Sequence, residues 1–269
     1  MRCFHVPLAS EGGDRSFNGA GVMLANKTVE MQRNPGRPFA EIDALLRATF
    51  GLTDILWVDT AGLPDDAQSF RCPVPAGAGV ADGYFTSIAT GGHVDELVRF
   101  VDRDTLLLAE VQPSERTTPM GAAAQRAIDA VLAGIAAYCA RTGHALRVLR
   151  IPLPPPLARV CDAASCVHAA LRALRFDRAD AQAAVVARRE PVRVVASASY
   201  VNYLVTNGAV LVAQYMRPGR DDAVRRADAG AVAALREAFP GRTVVPVDVE
   251  ALNYLGGGMN CISQQQPAF

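Results

Sequence analysis

The sequence has no excess of either charge. Its 269 residues include 27 basic and 27 acidic side chains, so the formal net charge is zero. Proteins that bind nucleic acid or an anionic membrane surface usually rely on an excess of basic residues. We therefore expect a small-molecule ligand, no nucleic-acid partner and no membrane partner.

The sequence also lacks long apolar runs and paired cysteines. No apolar stretch approaches the roughly 20 residues of a membrane-spanning helix, and residues 1–12 lack a secretion signal. We predict a soluble, cytoplasmic protein. The six cysteines contain no Cys-x-x-Cys pair and are predicted to be reduced. Cys161, Cys166 and His168 come closest to a metal-binding pattern, but they offer three ligands and no fourth. We predict neither a metal nor a cofactor.

What the sequence does have is a repeated order of strand, strand, helix and strand. Half of the residues are hydrophobic, which is enough for a sizeable core and is consistent with a single domain over residues 1–269. The first predicted unit has a strand with Val22, Leu24 and Val29, a helix at 38–51 and a strand at 55–58. The second has strands at 97–101 and 105–111, a helix at 120–141 and a strand at 146–151. The third has a hairpin of 200–205 and 209–213, a helix ending at Gly241 and a strand at 244–247.

This repetition predicts an α/β fold in which similar modules bury their apolar faces against one another. Two stretches, 65–89 and 157–191, interrupt the pattern. We interpret both as insertions, and we expect surface loops there, with an extra helix that includes Leu157 and Val160.

Cys261 is the first candidate for chemistry. It follows three consecutive glycines, 256–258, which allow the backbone to approach a bound group closely. A thiol in this place is a candidate nucleophile. The alternative is that Cys261 is a small buried apolar residue, as many free cysteines are.

Two more stretches combine glycine pairs with ionisable side chains. His93 and Asp95 follow Gly91-Gly92, and on a strand they would point to the same face. The alternative is a histidine that only bonds a neighbour at the start of a strand. Glu11 precedes Gly12-Gly13, which brings a carboxylate close to a ligand or else marks an ordinary turn.

A thiol, an imidazole and two carboxylates together suit a planar cation. Carboxylates bind a guanidinium in bidentate fashion, and the guanidinium stays protonated at physiological pH. Its central carbon is an electrophile that a thiolate can attack. The imidazole can then protonate the departing ammonia and later activate water.

Seven segments of the chain resemble a known family. They are EGG (11–13), QRNPG (32–36), GGHVDELVRFV (91–101), PLPPP (152–156), ASYVNYLVTNGAVLV (198–212), FPGR (239–242) and GGGMNCISQQQPA (256–268). The sequence is identified by these segments as similar to agmatine deiminase, one of the guanidine-modifying enzymes that also include peptidyl-arginine and arginine deiminases.

The resemblance implies hydrolysis of agmatine to N-carbamoylputrescine and ammonia, on the route to putrescine. Cys261 resembles the nucleophile and His93 the general acid and base. Asp95 and Glu11 resemble the carboxylates that bind the guanidinium. The implied fold is a five-fold α/β propeller, a pentein, of ββαβ modules.

Three features depart from the family pattern. The three predicted units correspond to about three of the five modules, and a segment with a further guanidinium-binding aspartate has no match here. Asn260 stands where agmatine deiminases usually have histidine. The insertion 65–89 lies in the loop that leads into His93. Open faces on a partial ring predict association with a second copy or a partner. The alternatives left open are deimination of arginine in a peptide and a truncated paralogue that only binds.

Overall fold

A computed structural model describes residues 5–66, 85–86, 90–173 and 191–265. The strands in chain order are β1 (Ser16–Phe17), β2 (Val22–Asn26), β3 (Asp54–Val58), β4 (Phe85–Thr86), β5 (Val98–Phe100), β6 (Thr105–Glu110), β7 (Arg147–Pro152), β8 (Ala158–Cys161), β9 (Val192–Val195), β10 (Leu204–Val205), β11 (Ala209–Gln214) and β12 (Thr243–Asp248). The α-helices are α1 (Lys27–Arg33), α2 (Phe39–Phe50), α3 (Pro119–Thr142), α4 (Cys166–Ala173), α5 (Asp222–Ala238) and α6 (Glu250–Asn253).

The three predicted units are confirmed as three small sheets of one topology. The sheets have the strand orders β1-β2-β3, β5-β6-β7 and β10-β11-β12. In each sheet the first two strands are antiparallel, and the last two are parallel. Because parallel neighbours need a crossover connection, a helix lies between the second and third strands each time.

A fourth three-stranded sheet was not predicted. It has the order β4-β9-β8, with β8 antiparallel to β9 and β4 parallel to β9. Strand β4 lies in the predicted insertion 65–89 and β8 in the predicted insertion 157–191. The expectation of surface loops is therefore wrong at β4 and β8. That the two stretches are insertions, and that about three of five modules are present, stay predictions. Val160 belongs to β8 rather than to the predicted extra helix, because it pairs with Arg193 of β9.

Helices α3 and α5 pack between neighbouring sheets. The helix predicted at 120–141 is confirmed as α3, and its Ile128, Val131 and Ile135 are buried along one side. Helix α3 also lies against β3, and at Gly134 a methyl group would stand 2.8 Å from the carbonyl oxygen of Trp57. Only a residue without a side chain permits this approach of helix to strand. Each helix thus links one sheet to the next and encloses a continuous apolar core.

Two local predictions need correction. Val29 was placed in a strand, but it lies in α1. This helix begins directly after β2, because the Asn26 side chain accepts a hydrogen bond from Thr28 N and caps the helix. His93 and Asp95 were placed on a strand, but a 3₁₀ helix spans Val94–Glu96.

The described part of the chain contains no helix that is both long and apolar enough to cross a membrane. The cysteines that the structure describes, Cys139, Cys161, Cys166 and Cys261, are free, as predicted.

Candidate active site

The predicted site residues come from distant parts of the sequence and meet around one open pocket. The pocket has a volume of about 890 Å³. Among the residues that line it are Glu11, Arg33, His93 and Cys261. Asp95 lies beside them and is 1% exposed. Loops from three of the four sheets therefore contribute the side chains.

A buried carboxylate fixes the loop that carries His93. Asp66 accepts hydrogen bonds from Thr90 N at 3.0 Å, Thr90 Oγ1 at 2.7 Å and Gly92 N at 2.9 Å. On the other side, Asn26 Nδ2 donates to the carbonyl oxygen of Gly92 at 2.8 Å. Gly92 has φ +114°, which favours glycine at this position. The backbone before His93 is thus held in one conformation.

His93 and Asp95 meet at Gly13, although they do not share a strand. A methyl group on the Cα of Gly13 would stand 2.4 Å from His93 Nδ1 and 3.0 Å from Asp95 Oδ2. The 3₁₀ turn therefore brings the two side chains together next to Gly13. The prediction about their conformation was wrong, but the structure does bring these residues together.

Glu11 contacts both the imidazole and an arginine. Its Oε2 lies 2.5 Å from His93 Nε2. Arg33 donates to Oε1 from Nε and to Oε2 from Nη2, both at 2.9 Å. Burial alone would raise the pKa of Glu11, but the hydrogen bonds from Arg33 and His93 outweigh it and lower this pKa. Glu11 is therefore a charged carboxylate next to the imidazole, and Arg33 already binds both of its oxygens.

Two asparagines hold Asp95 next to Cys261. Asp95 Oδ2 accepts hydrogen bonds from Asn202 Nδ2 at 2.9 Å and from Asn260 Nδ2 at 2.8 Å. Asn202 Oδ1 accepts from the backbone N of Asn260 at 2.9 Å. At Gly258 a methyl group would stand 2.3 Å from Asn202 Oδ1, so this glycine makes room for the amide. Burial raises the pKa of Asp95, and the charge of His93 opposes that rise.

The sequence analysis assigned no role to Asn202 or Asn260 in positioning Asp95. Asn202 lies in the segment 198–212 and Asn260 directly precedes Cys261. Both residues lie in segments that resemble the family, which could have drawn attention to them. Neither spacing nor composition, however, shows which carboxylate a side-chain amide will bind.

The thiol of Cys261 faces a negative environment. Its Sγ lies 4.0 Å from Asp95 Oδ2 and 3.5 Å from Asn202 Nδ2. Desolvation and the negative charge of Asp95 raise the pKa of this thiol to about 12. Cys261 is exposed, so the alternative of a buried apolar cysteine is wrong. A cation bound beside Asp95 would offset the negative charge and favour the thiolate.

Cys261 also lies close to two consecutive carboxylates. One oxygen each from Asp95 and Glu96 and the Cys261 sulfur lie within 4.8 Å of one another. Donors at this spacing can bind a metal ion, and they can equally surround an organic cation. That the site uses no metal and no cofactor stays a prediction.

Comparison with known proteins gives a match over nearly the whole chain. Residues 1–70 and 79–267 match the model of the family described as Porphyromonas-type peptidyl-arginine deiminase. An agmatine deiminase of Stutzerimonas stutzeri (strain A1501) is 28% identical over 265 residues, which cover 96% of this chain and 57% of that protein. An agmatine deiminase of Ectopseudomonas mendocina (strain ymp) is 28% identical over 261 residues, with the same coverage.

Solved structures have a similar fold. The agmatine deiminase of Enterococcus faecalis superposes with a TM-score of 0.63 at 22% identity, over 97% of this chain and 57% of that one. The agmatine deiminase of C. jejuni gives 0.57 at 21% identity, over 95% and 55%. The chain thus spans somewhat more than half the length of these relatives. From the family match, the chain belongs to the Porphyromonas-type peptidyl-arginine deiminase family.

Proposed function

We propose that this chain hydrolyses a C–N bond of a guanidinium substrate through a covalent intermediate on Cys261, with agmatine as the first candidate substrate. The observation that carries the proposal is the meeting of an exposed thiol, an imidazole and buried carboxylates at one pocket. Cys261 Sγ lies 4.0 Å from Asp95, and His93 lies 2.5 Å from Glu11. The relatives named agmatine deiminase support the choice of substrate.

The first half of the reaction would form a bond from sulfur to carbon. Asp95 binds the guanidinium, whose positive charge favours the thiolate of Cys261. The Cys261 proton passes to His93 as the sulfur attacks the guanidinium carbon. The C–N bond then breaks, and His93 returns the proton so that the nitrogen leaves as ammonia. An amidino thioether remains on Cys261.

The second half would release the product by hydrolysis. His93 takes a proton from water, and the water oxygen attacks the same carbon. The C–S bond breaks, the sulfur leaves as the thiolate and takes back the proton that His93 holds, and the product loses the remaining water proton to solvent. The enzyme is then regenerated. With agmatine the product is N-carbamoylputrescine, a step towards putrescine.

Glu11 would act through His93. A carboxylate at 2.5 Å from Nε2 orients the ring. A direct contact of Glu11 with the substrate would compete with Arg33, which donates to both of its oxygens. The substrate-binding role that the resemblance implied for Glu11 therefore stays a prediction.

A peptide-bound arginine is the second candidate substrate. Arg15, Arg33 and Arg99 all line the pocket. Like charges repel, so these guanidinium groups disfavour the terminal ammonium of agmatine. A blocked arginine has no such ammonium, and the name of the matched family also refers to this substrate.

The proposal includes several wider expectations. These are a partial five-fold propeller for the four sheets, a cytoplasmic location and association into a homo-oligomer. A chain that binds guanidines without turnover remains the non-enzymatic alternative. Thermal stabilisation by agmatine with no ammonia release would favour it.

Ammonia release tests the proposal directly. The purified chain is incubated with agmatine or with a blocked arginine peptide, and Cys261→Ala is compared with Cys166→Ala. Both cysteines are exposed, but Cys166 lies in α4, outside the pocket. We expect Cys261→Ala alone to abolish ammonia release. Equal rates in wild type and Cys261→Ala would contradict the proposal.

A further inference from the structure

Two neighbouring carboxylates in the site each have an oxygen without a hydrogen-bond partner. These atoms are Asp95 Oδ1 and Glu96 Oε2, in residues that are 1% and 3% exposed. Buried polar atoms in folded proteins nearly always have a partner, and an unpaired one is unfavourable. Unpaired oxygens in a pocket that would bind a cation therefore indicate where that cation makes its contacts.

These two carboxylates lie close to the nucleophile and are less fully paired than Glu11. An oxygen of Asp95, an oxygen of Glu96 and the sulfur of Cys261 lie within 4.8 Å of one another. Glu11 differs in two respects, because Arg33 donates to both of its oxygens and His93 contacts one of them. Asp95 and Glu96 thus each have an oxygen without any donor, whereas both oxygens of Glu11 already accept hydrogen bonds from Arg33.

We propose that Glu96, rather than Glu11, is the second carboxylate that binds the substrate guanidinium together with Asp95 next to Cys261. This inference rests on the proposed function, since it assigns a binding residue to the same reaction. Glu96 would also compensate for the further guanidinium-binding aspartate, whose segment has no match in this sequence.

The chemistry of the guanidinium fits this pair. Its planar fork offers five N–H donors, so two carboxylates can bind along different edges while the flat face stays open to the sulfur. Without a cation, burial and the charges of Asp95, Asp66 and Asp65 raise the pKa of Glu96, and the charge of Arg99 opposes them. A bound guanidinium would relieve this repulsion.

Alkylation of Cys261 by a matched pair of reagents isolates the binding step. The reagents are 2-chloroacetamidine, which is cationic and mimics the guanidinium, and 2-chloroacetamide, which is its neutral counterpart. Mass spectrometry of the Cys261 peptide gives both rates, and their ratio measures recognition of the cation without requiring turnover. Glu96→Gln and Glu11→Gln remove one charge each, and Glu110→Gln, on the exposed end of β6, is the control.

We expect Glu96→Gln to lower the amidine-to-amide ratio at least about tenfold, as for a buried charge pair that loses a partner. Glu11→Gln should change the ratio less than about threefold, and Glu110→Gln should leave it unchanged. A ratio that falls in Glu11→Gln but not in Glu96→Gln would overturn the inference.

A second variant separates loss of binding from loss of folding. Glu96→Met replaces the buried carboxyl with an apolar side chain of similar size, which is often neutral or stabilising. We expect it to fold and still to show the reduced ratio. If it folds with the wild-type ratio, the inference is wrong. If the wild type itself has no amidine preference and releases no ammonia, the proposed function fails, which is a different result.

Discussion

Gly13 lies so close to His93 that a methyl group on its Cα would stand 2.4 Å from the ring Nδ1. The same methyl group would stand 3.0 Å from Asp95 Oδ2. Gly12, the preceding residue, has no atom within 4 Å of the equivalent position. Position 13 therefore has to be glycine for the imidazole and the carboxylate to keep their places.

This contrast gives a matched pair of substitutions. We expect Gly13→Ala to lower kcat/KM at least about 100-fold, because small displacements of catalytic groups have effects of that size. Gly12→Ala should stay close to wild type. Steady-state kinetics, with circular dichroism to confirm folding, tests both. Similar kinetics for the two variants would show that the close approach at Gly13 is not important.

The thiol of Cys261 should be unreactive until a cation binds. Because desolvation and Asp95 raise its pKa to about 12, the thiolate fraction grows about tenfold per pH unit below that value. We expect alkylation by 2-chloroacetamide to keep rising at Cys261 up to at least about pH 11. Peptide mass spectrometry at a series of pH values measures this rate. A plateau below about pH 9 would contradict the prediction.

Arg33 should stabilise the protein most while Glu11 is charged. Burial opposes ionisation of Glu11, but Arg33 and His93 lower its pKa below the ordinary value of 4.5. A lowered carboxylate pKa contributes stability that is present above the unfolded-state pKa and is lost as pH falls through the folded-state pKa. Arg33→Gln should therefore destabilise the protein at pH 7, and the part of the difference that comes from Glu11 should be lost as the pH falls through the lowered pKa of Glu11.

The effect of Arg33→Gln should be less than about 1 kcal/mol, because the Glu11 side chain is 42% exposed and solvent screens the pair. Urea unfolding at pH 7 and at lower pH values measures it. Arg225→Gln, which removes a surface arginine paired with Asp222, is the control. A difference that grows on acidification would have the wrong sign for this account.

The regular part of the fold was accessible from the sequence. Helix α3 follows from a long apolar stripe and from Gly143, which ends it with φ +70°. The hairpin of β10 and β11 follows from Asn207-Gly208. Strands β4 and β8 are different, because they have two and four residues and no turn signal or repeated unit indicated them. They are strands because of their partners in the sheet.

The candidate site was accessible as a set of residues and not as a network. Glycines next to Glu11, His93 and Cys261 drew attention to those side chains, and the structure brings them to one pocket. The contacts of Glu11 with Arg33 and of Asp95 with Asn202 join residues that are 22 and 107 positions apart. Such contacts depend on how the modules pack, which no local pattern encodes.

A trapped intermediate tests the central claim most directly. The chain is mixed with agmatine, quenched in acid within milliseconds and digested, and the Cys261 peptide is analysed by mass spectrometry. The account predicts an amidino thioether on Cys261 that forms before the product is released and is absent in Cys261→Ala. Release of ammonia and N-carbamoylputrescine by the wild type, with the Cys261 peptide unmodified at every time point and Cys261→Ala equally active, would contradict it.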